Sequence, residues 1–329
     1  MMWEQEQALV TGAGGFIGSH LTEALVKAGV QVRAFIRYNS RNGRGNLEDL
    51  EPRVLREIEI IAGDLRDADV IERSVKGCNV VFHLGALVGI PYSYNNPREV
   101  IETNILGTLN VLMAARKYRV NRLVHTSTSE VYGSACYVPI DEAHPLQGQS
   151  PYSASKIGAD KLAESFFASF ELPVVTVRPF NCYGPRQSAR AVIPTLITQT
   201  LACAEIRLGK MDTWRDFTFV TDTVEAFMKA AQAQDAVGKV INVGSGCEIS
   251  IEQLARLILN SLQSPAKIVF DEIRVRPSGS EVTRLLADNR LAKVTLDWEP
   301  NVTLEDGIKQ TIAWIATHLN RYQAGEYQI

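Results

Sequence analysis

Cysteine is scarce in this sequence and scattered. Of 329 residues only five are cysteine: Cys78, Cys136, Cys182, Cys203 and Cys247. The number is odd, the gaps are wide, and no C-x-x-C pair occurs, which excludes a disulfide framework or a zinc ribbon. No metal is expected, and a reducing compartment is. Long apolar runs are also missing, because nothing approaches the roughly 18 consecutive apolar residues that mark a membrane span. The opening Met1-Met2-Trp3-Glu4-Gln5-Glu6 is too acidic and polar for a signal peptide, so the expected location is the cytoplasm, with no membrane partner. Charge of one sign is lacking too. Lys and Arg number 34 against 37 Asp and Glu, a net charge of −3. No basic excess exists to neutralise a phosphate backbone, so nucleic acid is not an expected partner. Hydrophobic residues at 46% and charged residues at 22% exclude disorder, collagen and coiled coil. At roughly 100–200 residues per domain, the length suits about two units.

What is present is an alternation. Short apolar runs at residues 8–10, 32–36, 58–62, 80–84, 123–125, 174–177 and 240–243 read as strands. Between them lie helical patterns, among them 97–118 and 152–170. The strand runs are continuous rather than alternating, as in a sheet buried on both faces. Strand–helix alternation implies parallel strands with right-handed crossovers. The expected fold class is therefore α/β, a doubly wound parallel (Rossmann) sheet. After residue 178 the grammar changes to shorter elements and loops. We expect residues 1–178 to form the dinucleotide-binding domain, with later returns near 218–245. Residues 179–329 are expected to form mainly a smaller, discontinuous α/β substrate lobe.

The first strand runs into Thr11-Gly12-Ala13-Gly14-Gly15-Phe16-Ile17-Gly18. In this G-x-x-G-x-x-G spacing, Gly12 permits the turn, Gly15 admits a pyrophosphate, and Gly18 allows close helix–strand packing. The free N–H groups at Phe16 and Ile17, with the helix dipole, favour an anion. This places a dinucleotide, NAD or NADP, on the turn. An acid after the second strand reads a free ribose 2′-hydroxyl, whereas an arginine accommodates a 2′-phosphate. Here Arg37 follows the strand, with Ser40 and Arg41 in the same loop, which tips the expectation toward NADP. Asp64 and Leu65 after the third strand suit the adenine edge; a helix N-cap is the alternative for Asp64. Leu84 and Ala86 follow the fourth strand, where α/β ligands collect. His83 beside them reads as a packed histidine rather than a base. Tyr152 and Lys156 form a Tyr-x-x-x-Lys pair on one helix face. A nearby ammonium lowers a phenol's pKa, and the phenolate can take an alcohol's proton while a hydride leaves the same carbon.

Residues 11–18, Asn104, 126–133 and 152–156, with 178–185 and 215–217, together resemble the extended short-chain dehydrogenases/reductases. Within them the chain resembles the NAD(P)-dependent nucleotide-sugar epimerases and dehydratases. The resemblance spans nearly the whole chain. It implies that Asn104 belongs to the cofactor site and that Thr128 helps Tyr152 hold the sugar's 4-hydroxyl. It also implies a carboxylate base for dehydration at Glu130, where epimerases usually carry small or neutral residues. A base is needed because a ketone at C4 acidifies the C5 proton. Ser129 stands where dTDP-glucose dehydratases have Asp and GDP-mannose dehydratases have Ser, so either Glu130 or Ser129 passes the proton to the leaving 6-hydroxyl. Residues 88–94, from Val88, resemble the sugar-facing loop of UDP-N-acetylglucosamine 4,6-dehydratases of legionaminic acid type. Asn181, Arg186, Arg215 and Arg276 are expected to meet the nucleotide diphosphate. Cys182 has no histidine partner and is given no chemistry. The helices at 97–118 and 152–170 match a family dimer interface, which implies a homodimer. The expected activity is a nucleotide-sugar 4,6-dehydratase, a lyase of polysaccharide biosynthesis. The alternatives are a 4-epimerase and a cofactor-sensing regulator without catalysis.

Overall fold

The computed structural model describes residue 3 and residues 6–327. Most of the opening hexapeptide lies outside the described residues. Seven strands form one sheet: β1 (Gln7–Thr11), β2 (Gln31–Arg37), β3 (Ile58–Gly63), β4 (Val80–His83), β5 (Arg122–Thr126), β6 (Val174–Pro179) and β7 (Val240–Val243). Their spatial order is β7-β6-β5-β4-β1-β2-β3, and every neighbouring pair is parallel. The order reverses between β1 and β4. In open α/β sheets a ligand crevice forms outside the strand ends at such a switch point.

Period-two side-chain alternation divides each strand between two cores. Ala8 and Val10 of β1 enter one core, which the helices Phe16–Lys27 and Val220–Gln232 cover together. Leu9 enters the other, with Phe35, Val81 and Leu123, beneath the helices Ala68–Val75, Gly107–Lys117 and Pro151–Phe170. Both faces are covered, as the continuous apolar runs imply. The doubly wound expectation holds.

The helix expected over 97–118 is broken. A short helix Pro97–Ile101 passes into a π-helical turn, Glu102–Leu106, before Gly107–Lys117 continues. The wider i→i+5 turn inserts a residue without disturbing the apolar pattern, so periodicity does not reveal it. Pro151–Phe170 starts sharply for a local reason: Ser150 and Ser153 form a reciprocal capping box, and Pro151 occupies the first turn.

Beyond β6 the chain forms small sheets. Trp214–Asp216 pairs with Glu248–Ser250 antiparallel and with Arg284–Leu285 parallel. The Asp216 carboxylate ties three segments together. It accepts from the backbone N–H groups of Ser245, Gly246 and Ala287 at 2.7, 3.0 and 3.1 Å.

Candidate active site

The glycine turn has the expected geometry. Gly12 has φ +71°, and a Cβ there would stand 2.8 Å from the Gly85 nitrogen. A Cβ on Gly18 would lie 2.2 Å from the Gly12 carbonyl oxygen, so the helix start and the turn tolerate no side chain between them. The helix from Phe16 has no side-chain cap at Gly15 and no acid in its first turn. Its leading N–H groups are left for an external anion. Gly14, Gly15 and Phe16 line a cavity of about 850 Å³. An uncapped helix end, a backbone cradle that a Cβ would fill and a large adjoining cavity fit a dinucleotide pyrophosphate.

The loop after β4 closes over this turn. Thr11 Oγ1 accepts from the Gly85 N–H at 3.0 Å and bonds His83 Nδ1 at 2.8 Å. His83 Nε2 meets Thr108 Oγ1 at 3.0 Å, and burial keeps the imidazole well below its usual pKa. The ring is a neutral packing element. Asn104 sits in the π turn and is buried. It accepts from the Leu87 N–H at 2.8 Å and donates to the Leu87 carbonyl at 3.0 Å and Ser155 Oγ at 2.9 Å. It thereby fixes the loop carrying Leu84, Ala86 and Val88. Ala86 and Val88 line the cavity, and Leu84 is partly buried against the core.

The residues expected at the adenine side are more entangled than their spacing implied. Arg37 donates to Glu99 Oε1 at 3.1 Å. Ser40 and Arg41 are exposed in the following loop. Asp64 is gripped by Arg66 through Nε at 3.0 Å and Nη2 at 2.6 Å, and those bonds hold its carboxyl below the usual range. The N-cap alternative for Asp64 fails, because the following helix is capped by Asp67. Leu65 is buried between Gly85 and Gly107.

Tyr152 and Lys156 are both buried in the first turns of Pro151–Phe170. Lys156 Nζ donates to the Thr126 carbonyl at 2.6 Å. Burial lowers its ammonium to about 8, opposed by Asp160. The phenol departs from expectation. Burial pushes Tyr152 far above its ordinary value; the Thr128 hydroxyl opposes this and the charges of Glu130 and Asp160 add to it. Proximity to Lys156 does not lower it, because desolvation outweighs an ammonium whose proton faces a backbone carbonyl.

Asp160 was not foreseen. It lies one turn beyond Lys156 and accepts from His125 Nε2 at 3.0 Å, Ser127 Oγ at 2.7 Å and Arg178 Nη2 at 2.9 Å. Burial raises this carboxyl, but the three donors outweigh it and hold it low. Spacing alone contained the signal: 152, 156 and 160 share one helix face.

Glu130 lines the cavity, with Arg276 Nη1 facing its Oε1 at 4.0 Å. Ser129 beside it is buried and is not among the cavity-lining residues. Arg276 Nη1 is buried without a hydrogen-bond partner. Arg215 is buried, held by the Trp214 and Val282 carbonyls at 2.9 and 2.6 Å, with Glu281 Oε1 at 3.8 Å. Asn181 donates to the Asp216 carbonyl at 3.1 Å and lines the same space. Arg186 also lines it, paired with Glu23 at 2.7 Å. Arg190, Lys210, Arg274, Arg321 and Glu281 complete the charged lining; no motif flagged them. Burial drives the Cys182 thiol up to about 12, which leaves it unreactive. Among the described residues no cluster of His, Cys, Asp or Glu suits a metal ion, and no helix is long and apolar enough to cross a membrane.

Residues 9–311 match the family model described as GDP-mannose 4,6 dehydratase. The chain is 35% identical to the UDP-N-acetyl-alpha-D-glucosaminuronate decarboxylase of Bacillus cytotoxicus, over 94% of this chain and 98% of that one. It is 31% identical to the UDP-glucose 4-epimerase of Mycolicibacterium smegmatis, over 93% and 97%. Its fold superposes with a TM-score of 0.87 on the dTDP-glucose 4,6-dehydratase DesIV of Streptomyces venezuelae, a structure with NAD bound. That likeness covers 96% of this chain and 99% of the other, at 28% identity.

Proposed function

We propose a particular activity on the premise that this chain belongs to the GDP-mannose 4,6-dehydratase family, the NAD-dependent nucleotide-sugar dehydratases and epimerases of the extended short-chain dehydrogenases. The activity is 4,6-dehydration of a nucleoside-diphosphate hexose, with UDP-N-acetylglucosamine the preferred substrate and a 4-keto-6-deoxy sugar the product. One observation carries this reading: the Glu130 carboxylate lines the cavity, faces Arg276 and acts electrostatically on Tyr152. Elimination needs a base for the C5 proton, and Glu130 is a carboxylate on the cavity wall within electrostatic reach of Tyr152.

The dinucleotide would be held by Gly12, Gly15, Gly18 and the N–H groups of Phe16 and Ile17, with Lys156 and the loop fixed by Asn104. Bound there, it supplies a two-electron acceptor that is regenerated within the cycle. Tyr152 would take the proton from the sugar O4, with Thr128 holding the same oxygen, only once the positive charge of an oxidised nicotinamide offsets the burial that keeps the phenol protonated. A ketone at C4 acidifies the C5–H bond, and Glu130 removes that proton. The 6-hydroxyl departs as water, and Glu130 returns the proton it needs. Glu130 is favoured over Ser129 for that task because it is the carboxylate on the cavity wall and already holds the C5 proton. C4 is oxidised and C6 reduced, and C5 regains a proton equivalent to the one Tyr152 took from O4, so substrate and product differ only by loss of water. Arg215, Arg276 and Asn181 hold the diphosphate, with Arg186 at the edge toward the glycine turn. We place the enzyme in the cytoplasm, in polysaccharide biosynthesis. We propose a homodimer formed through the helices at 97–117 and 151–170, supported by exposed Ile101, Leu106, Met113 and Phe170.

A second reading is an enzyme acting on a sugar with a C6 carboxylate. It is supported by Arg190 and Lys210, which line the cavity without a carboxylate partner among the described residues and stand in addition to Arg215 and Arg276; Arg186, Arg274 and Arg321 are paired with Glu23, Asp271 and Asp49. The test is a panel of UDP, GDP and dTDP sugars, with products read by mass spectrometry. Loss of one water supports dehydration, loss of carbon dioxide supports the second reading, and an unchanged mass with a new retention time supports 4-epimerisation. Binding of cofactor with no turnover of any sugar supports a regulator. Glu130→Gln is expected to abolish elimination and to leave cofactor binding intact.

A further inference from the structure

Arg37 ends β2, and the end of β2 flanks the glycine turn. The Ala13 N–H donates to the Phe35 carbonyl at 3.2 Å, and a Cβ on Gly14 would lie 3.3 Å from Ile36 Cγ2. A guanidinium at this place ordinarily welcomes a ribose 2′-phosphate. Here it is already engaged. Glu99, from the helix Pro97–Ile101, accepts from Arg37 Nη2 at 3.1 Å. The other Glu99 oxygen accepts from the Tyr92 phenol. That bond, together with the Arg37 charge, holds the Glu99 carboxyl below its usual range.

The neighbouring charges are paired as well. Asp64 is held by Arg66, whose Nη1 stands 3.7 Å from Glu102. Asp64 also senses the Arg37 charge. Arg98 also faces Glu102, at 3.9 Å, so three carboxylates (Asp64, Glu99, Glu102) are matched by three guanidiniums (Arg37, Arg66, Arg98), each already facing a carboxylate. Among the described residues Arg41, in the loop beyond, has no carboxylate partner; its backbone N–H donates to Asn39 Oδ1 at 3.2 Å. A 2′-phosphate adds about −1.5 to −2 of charge near neutral pH. It would have to draw Arg37 away from Glu99 while Tyr92 keeps that carboxylate in place.

We propose that Glu99 is a specificity-determining residue for the dinucleotide: by engaging Arg37 and keeping its own negative charge beside that guanidinium, it selects a free 2′-hydroxyl over a 2′-phosphate. This rests on the reading that the glycine turn binds a dinucleotide. An exposed ion pair alone is weak. The discrimination comes from like-charge repulsion and from the loss of Arg37 as an available donor.

Calorimetric titration of the purified full chain with NAD and with NADP tests it. Wild type is expected to bind NAD more tightly. Glu99→Gln is expected to tighten NADP by about tenfold while NAD stays within about twofold. In an Arg37→Gln background, the same change is expected to have less effect on NADP. Tyr92→Phe, which frees Glu99 without discharging it, should move NADP less than Glu99→Gln does. Tighter wild-type binding of NADP, an equal shift of both cofactors, or control by Arg41→Gln in place of Glu99→Gln would overturn the proposal. If neither dinucleotide binds wild type, the dinucleotide reading itself fails, and that outcome is distinct from binding without the expected discrimination.

Discussion

Arg276 and Glu130 face one another across 4.0 Å at the cavity wall, and the nearest guanidinium nitrogen has no hydrogen bond. An orphaned buried donor is costly until an acceptor arrives. A diphosphate oxygen is such an acceptor. Arg276→Gln is expected to weaken UDP binding by about tenfold, or about 1.4 kcal/mol. Isothermal titration with UDP reads this directly, without turnover. Unchanged affinity would remove Arg276 from the diphosphate site.

Asn104 spans three partners from a π turn. Asn104→Ala removes all three bonds, and at about 1 kcal/mol each it should cost about 2–3 kcal/mol of stability. Cofactor affinity should fall with it, because the loop at 84–88 loses its anchor. Chemical denaturation and a cofactor titration measure the two effects. A loss of stability with full cofactor affinity would separate the anchor from the site.

Two glycines make a matched pair. Gly18→Ala forces a Cβ to 2.2 Å from a backbone oxygen, so it should cost about 2–3 kcal/mol or more and impair cofactor binding. Gly29 has φ +86° with nothing within 4 Å, so Gly29→Ala carries only left-handed strain, about 1 kcal/mol. Comparing thermal midpoints and cofactor affinity for both variants tests the difference. Equal losses would argue against the close packing.

Lys156 titrates near 8 in the fold and near 10.5 when unfolded. Between those values the unfolded chain binds more protons, so this residue's unfavourable contribution fades as pH rises from about 8 to 10.5. Below that window the cost of the buried ammonium is complete, about 3 kcal/mol. Lys156→Met should therefore show a stability advantage over wild type, or a smaller deficit, near pH 7. That difference should decline by about 3 kcal/mol across the window. Urea denaturation at several pH values measures it, and a pH-independent difference would refute a lowered ammonium.

All seven sheet strands were legible, because a strand buried on both faces writes a continuous apolar run. Two-residue strands such as Cys182–Tyr183 and Arg284–Leu285 were not, since so short a segment carries no period. The π turn escaped because its apolar spacing continues through it. The pairing of Arg37 with Glu99 was not legible, because the two lie 62 residues apart. The expected effect of Lys156 on Tyr152 ignored burial, which spacing does not express. Asp160 was available from spacing, one turn past Lys156. Glu281 and Lys210 reach the cavity from loops that no local pattern connects to it.

The uneven charge of the cavity has a consequence at the bench. Among the described residues Arg190 and Lys210 have no carboxylate partner, and both line the cavity together with Arg276 and Phe16 of the uncapped helix. Such a surface concentrates small anions from the medium, and the attraction weakens as salt rises. Phosphate and sulfate buffers will thus behave as competitors of the sugar nucleotide, while amine buffers with chloride interfere less. An apparent KM for this enzyme belongs to its buffer as much as to its substrate.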